Sequence, residues 1–372
     1  MRLASARLFT WGGPVPGQVR LASAAPSARR GLLLCVEGEG GAVGLGEAAP
    51  LPQLSSDTLE QDEHALIRLD WSSVELPVGL AELGGAYPRA RGDWGAPAAR
   101  FAFETALASA AASSAMLPLH RWLLADEAHR AGPVARSIYV GSTDDPGTLE
   151  RAEARARGGA TTLKIKRARA TVREGVDVYL GELRARVGPS VQVRADENGQ
   201  LSASEARAMA DVYARHGVEL VEEPCAPAEM VHLGALAVPF FADECLQDPF
   251  KRTRVLANPA VTGFVVKPTL LGGLREAWDL ALFARAAGKS VVVTHAFEGP
   301  VALAACAELA LALGSGPYGH GLDDHAAVAA FRAWPVPQLM GHPARVEPTQ
   351  LRGLGLGAPD LAGLEEVWRW SR

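Results

Sequence analysis

Eight short runs rich in β-branched residues recur between residues 135 and 325: "ARSIYVGS", "TTLKIKRA", "VQVRADENG", "VELVEEP", "PFFADEC", "GFVVKPT", "SVVVTHAFEG" and "YGHGLDDH". Each ends on polar or charged residues, and Ala/Arg/Glu-rich helical segments stand between them. Segments such as "ASEARAMADVYARHG" and "LREAWDLALFARAAG" are amphipathic and close on glycine, the usual helix stop. Parallel neighbours need crossover helices, and eight strands alternating with helices can close a sheet into a barrel. An open doubly wound sheet is the rival arrangement.

The first hundred residues follow a different grammar. "MRLASARLFTW" alternates like a strand, and "RGLLLCVEGEGGAVGLGEA" reads as a hairpin. From Ala96 the pattern is helical, with Pro97 tolerated in the first turn. The hairpin glycines lack the G-K-[ST] of a phosphate loop. The "GGPVPGQVRLASAAPSARR" stretch, residues 12 to 30, is expected to act as a lid over a ligand.

Composition excludes several partners. A formal charge of -5, with no basic block interleaved with aromatics, argues against nucleic acid. No apolar run approaches a membrane span and no signal-peptide core opens the chain, so a cytoplasmic protein is expected. Cys35, Cys225, Cys245 and Cys306 have no C-x-x-C spacing and read as reduced core residues.

Lysine is scarce. Of 37 basic residues only Lys164, Lys166, Lys251, Lys267 and Lys289 are lysine, so a surface charge here is normally written Arg. A lysine can lose its proton where a guanidinium does not. In a parallel barrel the working residues stand at the C-terminal strand ends. Those ends carry Lys164 and Lys166, then Asp196 with Asn198, Glu222, Asp243 with Glu244, and Lys267. The steps from Lys166 through Asp196, Glu222 and Asp243 to Lys267 are 30, 26, 21 and 24 residues, close to one βα unit each. Strand alternation puts Lys164 with Lys166, and Arg194 with Asp196 and Asn198, on one face.

Three converging carboxylates repel one another unless a divalent cation joins them, and an all-oxygen set favours Mg²⁺, with Mn²⁺ the alternative. Lysines on the two flanks are expected to be depressed toward usable bases by that cation and by each other. Glu223 and Glu244 lie one residue off the inward parity, and Glu223 reads as structural.

"KIK", "DEN", "EEP", "ADE" and "VVKPTLLGG" on successive strands resemble the enolase superfamily, specifically its muconate-lactonizing subgroup. "GLGEAAPLP" is similar to the end of that family's N-terminal capping lobe. The resemblance implies a modified TIM barrel of (β/α)7β type with an α+β capping domain. The expected division is 1–105 for the cap, 106–334 for the barrel and 335–372 for a segment returning to the cap. It further implies Asp196, Glu222 and Asp243 as metal ligands, Lys166 and Lys267 as acid/base lysines, and removal of a proton alpha to a carboxylate. Superfamily enzymes of this kind, with a Lys or His base and Mg²⁺-stabilised enediolate, are a known worked case of acid/base tuning.

"EEPC", "KPTLLGG", "GLDDH" and "THAFEGPVALAACAELA" resemble the members that dehydrate a cyclohexadiene carboxylate to an aromatic ring. Racemisation of an N-acylated amino acid or epimerisation of a dipeptide, by the same two lysines, is the alternative. A dipeptide epimerase is expected to show Asp-x-Asp at the eighth strand, whereas Asp323 and Asp324 are consecutive. Lys164 and Arg194 are the candidate substrate contacts, Arg194 with a structural pairing to acidic neighbours as its competing reading. His295 matches the position of a catalytic histidine in another subgroup, but that subgroup pairs it with an Asp where this chain has Lys267. A small carboxylate is the expected partner, and self-association is left open.

Overall fold

The computed structural model describes residues 1–15, 28–83, 94–124, 132–323, 342–348, 356 and 361–372. The N-terminal strands β1 (Leu3–Pro14), β2 (Ala28–Gly38) and β3 (Val43–Ala48) form an antiparallel sheet. Its outer edge is completed from the far end of the chain, where Glu365–Ser371 pairs antiparallel with β1. Trp368 on that C-terminal strand meets Trp71 at a ring-centroid distance of 5.7 Å, so the Trp-rich tail packs into the sheet.

Two helices back this sheet, α1 (Leu59–Ile67) and α2 (Pro97–Ser114). Thr58 and Gln61 close a capping box on α1, satisfying two otherwise orphaned backbone donors. Helix α2 runs unbroken through residue 105 and is buried along most of its length. It lies so close to β3 that a Cβ on Gly46 would stand 1.7 Å from the Ala102 carbonyl oxygen. Glycine is required there by space, because its backbone φ is not left-handed.

Seven parallel strands follow: β4 (Ile138–Ser142), β5 (Thr162–Lys166), β6 (Gln192–Asp196), β7 (Val218–Glu222), β8 (Phe240–Ala242), β9 (Gly263–Val266) and β10 (Ser290–Val293), neighbours in chain order. Helices α3 (Thr148–Arg157), α4 (Arg173–Val187), α5 (Ala203–Arg215), α6 (Pro249–Ala257), α7 (Leu274–Ala286) and α8 (Pro300–Leu313) are the crossovers. Among the described residues the predicted eighth strand is represented by single bridges, His320 to Arg136 and Gly321 to Thr294. Those bridges join the two edges of the sheet and close a barrel of (β/α)7β type.

Alternation divides the side chains of the sheet. Val193, Ala195, Leu163 and Ile165 join the core under the helices, while Leu220, Phe241, Val265 and Val292 fill the barrel interior with Tyr318 against them. Residues 16–27 of the expected lid lie outside the described residues. Its described ends are strand: Gly12, Gly13 and Pro14 pair with Arg30, Arg29 and Ala28. All four cysteines are buried and unpaired in disulfides, as a reduced core predicts.

Candidate active site

The C-terminal ends of β6, β7 and β8 bring Asp196, Glu222 and Asp243 together. Their carboxylate oxygens lie within 4.8 Å of one another and all three residues are buried. Backbone register accounts for this convergence: Lys166 pairs with Asp196 and Asp196 with Glu222, one rung of the ladder across three strands. Asp243 follows β8 directly and donates its backbone N–H to Glu223 Oε2 at 2.6 Å. Glu223, in a left-handed conformation (φ 36°), also accepts from Cys245 N at 3.1 Å. The off-parity Glu223 therefore shapes the loop that carries Asp243.

Three lysines face the cluster, and they are not equivalent. Lys164 Nζ lies 2.9 Å from Asp196 Oδ2 and 2.5 Å from Glu222 Oε2. On the far flank Lys267 Nζ bonds Asp243 Oδ2 at 2.6 Å. Lys166 stands 3.7 Å from Asp196, because Lys164 already engages that carboxylate more closely.

Burial opposes the charge on Lys164 and Lys267, but the facing carboxylates overcome it and hold both above the ordinary ammonium value. Each Nζ thereby answers a carboxylate of the cluster. Asp196 is buried yet held well below the usual carboxylate range by Lys164, Lys166 and Lys267. Asp243 is pushed up to about 7 by burial and by the neighbouring Glu244.

A buried all-oxygen set with one member driven toward neutrality is short of positive charge, which suits a hard divalent cation. The residues present therefore fit Mg²⁺.

Arg194 is not brought to this cluster. Opposite it, β7 carries an extra residue: Val193 pairs with Val218 but Arg194 pairs with Leu220. This bulge releases Glu219 to accept from Arg194 Nε at 2.6 Å, while Nη1 donates to the Gly319 carbonyl at 2.6 Å. The guanidinium also lies 5.7 Å from the centre of the Tyr318 ring. It sits inside the barrel, 1% exposed, two residues before the strand end that Asp196 occupies. Removing its partner would strand a buried charge. Glu219→Gln is expected to cost about 3 kcal/mol of stability, read by denaturant unfolding, with Mg²⁺ affinity unchanged. A substrate contact would instead raise KM with stability intact.

His295 is half-buried, and its Nδ1 accepts from Phe297 N at 3.1 Å. Burial, reinforced by the charges of Lys164 and Lys267, pushes the imidazole down to about 3, so it is neutral at pH 7. Asp323 is buried beyond the closing bridges, and Asp324 lies outside the described residues.

The N-terminal sheet reaches this end of the barrel. Glu47, inside "GLGEAAPLP", accepts from the backbone N–H groups of Gly299, Val301 and Ala302 at 2.6, 3.0 and 2.9 Å, capping α8. Burial pushes its carboxyl up to about 7 against the pull of those donors. Sequence reading missed Glu47 and Glu219, whose partners are 252 and 25 residues away and leave no local signal.

Comparison with known proteins agrees with this geometry. The family described as Enolase C-terminal domain-like matches residues 147–360, and the one described as MenC, N-terminal domain, matches residues 2–76. An o-succinylbenzoate synthase of Thermobifida fusca is 36% identical over 208 residues, which are 54% of this chain and 65% of that protein. A second o-succinylbenzoate synthase, of Edwardsiella ictaluri, is 27% identical over 346 residues, 90% of this chain and 94% of its own length. Among solved structures, a dipeptide epimerase from Cytophaga hutchinsonii complexed with Mg and the dipeptide D-Ala-L-Val superposes with a TM-score of 0.82. It is 20% identical and covers 99% of each chain, a likeness of fold. With a family match across more than half its length, on the strands that carry the carboxylates and lysines, the chain belongs to the enolase superfamily of enzymes.

Proposed function

We propose that this enzyme is an o-succinylbenzoate synthase, a carbon–oxygen lyase that converts 2-succinyl-6-hydroxy-2,4-cyclohexadiene-1-carboxylate to 2-succinylbenzoate in menaquinone biosynthesis. The observation that carries the reading is the asymmetry of the flanking lysines. Lys267 is tied to Asp243 at 2.6 Å and held cationic, whereas Lys166 is 3.7 Å from its nearest paired carboxylate. A syn dehydration needs one working base and one fixed cation. An epimerase needs two bases.

In this mechanism Lys166, as the free amine, takes the proton from the ring carbon alpha to the carboxylate. The electron pair of that C–H bond first delocalises into the carboxylate, where negative charge builds; it then returns to form the new ring π bond as the C–O bond breaks, and Lys166 gives the proton to the departing hydroxyl, releasing water. Lys267 stays protonated beside the charge that develops on the substrate carboxylate. A divalent cation held by Asp196, Glu222 and Asp243 supplies the remaining positive charge for those oxygens. Lys164, inward and beside Glu222, is placed to meet the substrate carboxylate.

The synthase relatives and the match of residues 2–76 support this reading over the epimerase. The epimerase alternative is supported by the fold likeness and by an L-Ala-D/L-Glu epimerase of Bacillus subtilis, 28% identical over 286 residues. The same reading treats residues 1–105 and 335–372 as a cap over the barrel of residues 106–334, and the enzyme as cytoplasmic. Among the described residues no helix is long and apolar enough to cross a membrane. Rising aromatic absorbance on adding the cyclohexadiene carboxylate with Mg²⁺ tests the proposal. No aromatic product, with racemisation of N-succinylamino acids instead, would replace it with an N-acylamino acid racemase.

A further inference from the structure

The carboxylates occupy the ends of β6 to β8 and the lysines β5 and β9, while the side of the barrel mouth between β10 and β4 carries aromatic rings. Three rings stand there. Tyr139 on β4 pairs in register with Lys164 on β5. The Phe297 ring meets Tyr139 edge-on at 6.4 Å and 81°, and His295 at 5.6 Å and 89°. All three residues are half-buried rather than sealed into the core.

Phe297 holds this place at a backbone cost. Its φ of 59° lies in the left-handed region, which a bulky residue avoids and which persists only where the surroundings dictate it. Those surroundings come from the N-terminal sheet. Arg29, 3% exposed, donates through Nε to the Phe297 carbonyl at 2.9 Å, through Nη1 to the Pro50 carbonyl at 2.9 Å and through Nη2 to the Ala49 carbonyl at 2.7 Å. Glu47 fixes the next turn by capping α8. One guanidinium thus ties the loop after β3 to the loop after β10.

We propose that Phe297, flanked by Tyr139 and His295, is the wall against which the substrate's six-membered unsaturated ring packs, and that Arg29 is the positioning residue that sets it there. Tyr139 stands beside Lys164 in the ladder and the charges of Lys164 and Lys267 reach His295, so the wall borders the lysines and is within reach of the ring of a ligand whose carboxylate lies at the cluster. Edge-to-face contact favours a flat unsaturated ring over an acyclic chain. The inference rests on the dehydration reading for its substrate class.

Calorimetric titration with Mg²⁺ present tests it, using two probes: 2-succinylbenzoate, and N-succinylalanine, which keeps the succinyl and carboxylate groups without the ring. Phe297→Gly removes the ring while glycine accepts the left-handed backbone. The expected result is about a tenfold loss of affinity for 2-succinylbenzoate, less than a twofold change for N-succinylalanine, and recovery of the ring ligand in Phe297→Tyr. The ratio between probes is insensitive to a partly unfolded fraction. Equal losses for both probes, no loss for either, or wild-type protein that binds no 2-succinylbenzoate would overturn the wall. Wild type that binds 2-succinylbenzoate yet fails to dehydrate the cyclohexadiene would overturn the proposed reaction alone, leaving the wall in place.

Discussion

Lys166→Arg should lose about 10²-fold or more in kcat for dehydration, and Lys267→Arg should lose clearly less. Arginine preserves a cation but has no accessible neutral form, so it removes the base that Lys166 supplies and keeps the charge that Lys267 supplies. Lys267 is bound to Asp243 at 2.6 Å, and a guanidinium can form the same pair, although its planar fork fits the space less well. Single-turnover rates at saturating substrate separate this from a binding defect. Equal loss in the two variants would mean that both lysines transfer protons, as an epimerase requires. In that case each Ala variant should still exchange the alpha proton of the one enantiomer its surviving lysine can reach.

A larger effect is expected from the carboxylates. Chelation should abolish turnover and Mg²⁺ should restore it, with Mn²⁺ able to substitute, since the charge on the substrate carboxylate has no other adequate sink. Asp196→Asn, at the centre of the lysine pairs, should lower kcat by about 10³-fold or more and weaken Mg²⁺ binding measured by calorimetry. The same change deprives Lys164 and Lys166 of a partner at 2.9 and 3.7 Å, so circular dichroism should confirm that the variant is folded. Full activity in metal-free protein would remove Asp196, Glu222 and Asp243 from the ligand assignment.

The carboxylate and lysine positions were legible because strand parity is strict and the steps between them follow the βα unit. Leu163, Ile165, Val193 and Ala195 pack outward, which leaves Lys164, Lys166 and Asp196 facing in. Parity turned Arg194 inward as expected, and the extra residue at Val218–Glu219 supplies the acidic partner of its structural reading, a buried ion pair in place of a substrate contact. A bulge has no composition of its own, so nothing in "VELVEEP" announces it. Which oxygen each Nζ reaches was also beyond spacing: Lys164 bridges two of the carboxylates assigned to the metal. Among the described residues the eighth strand is represented by bridges at His320 and Gly321, which join the two edges of the sheet. The Phe297 wall was invisible, since its backbone is set by Arg29, 268 residues away in the chain.

Proton NMR of the Mg²⁺-loaded protein in D₂O, with the cyclohexadiene carboxylate and an N-succinylamino acid in one tube, tests the central claim most directly. The account predicts aromatic resonances of 2-succinylbenzoate growing at the expense of the cyclohexadiene, faster than deuterium enters the amino acid's alpha position. A cyclohexadiene left unchanged while the N-succinylamino acid loses its alpha-proton signal would contradict it.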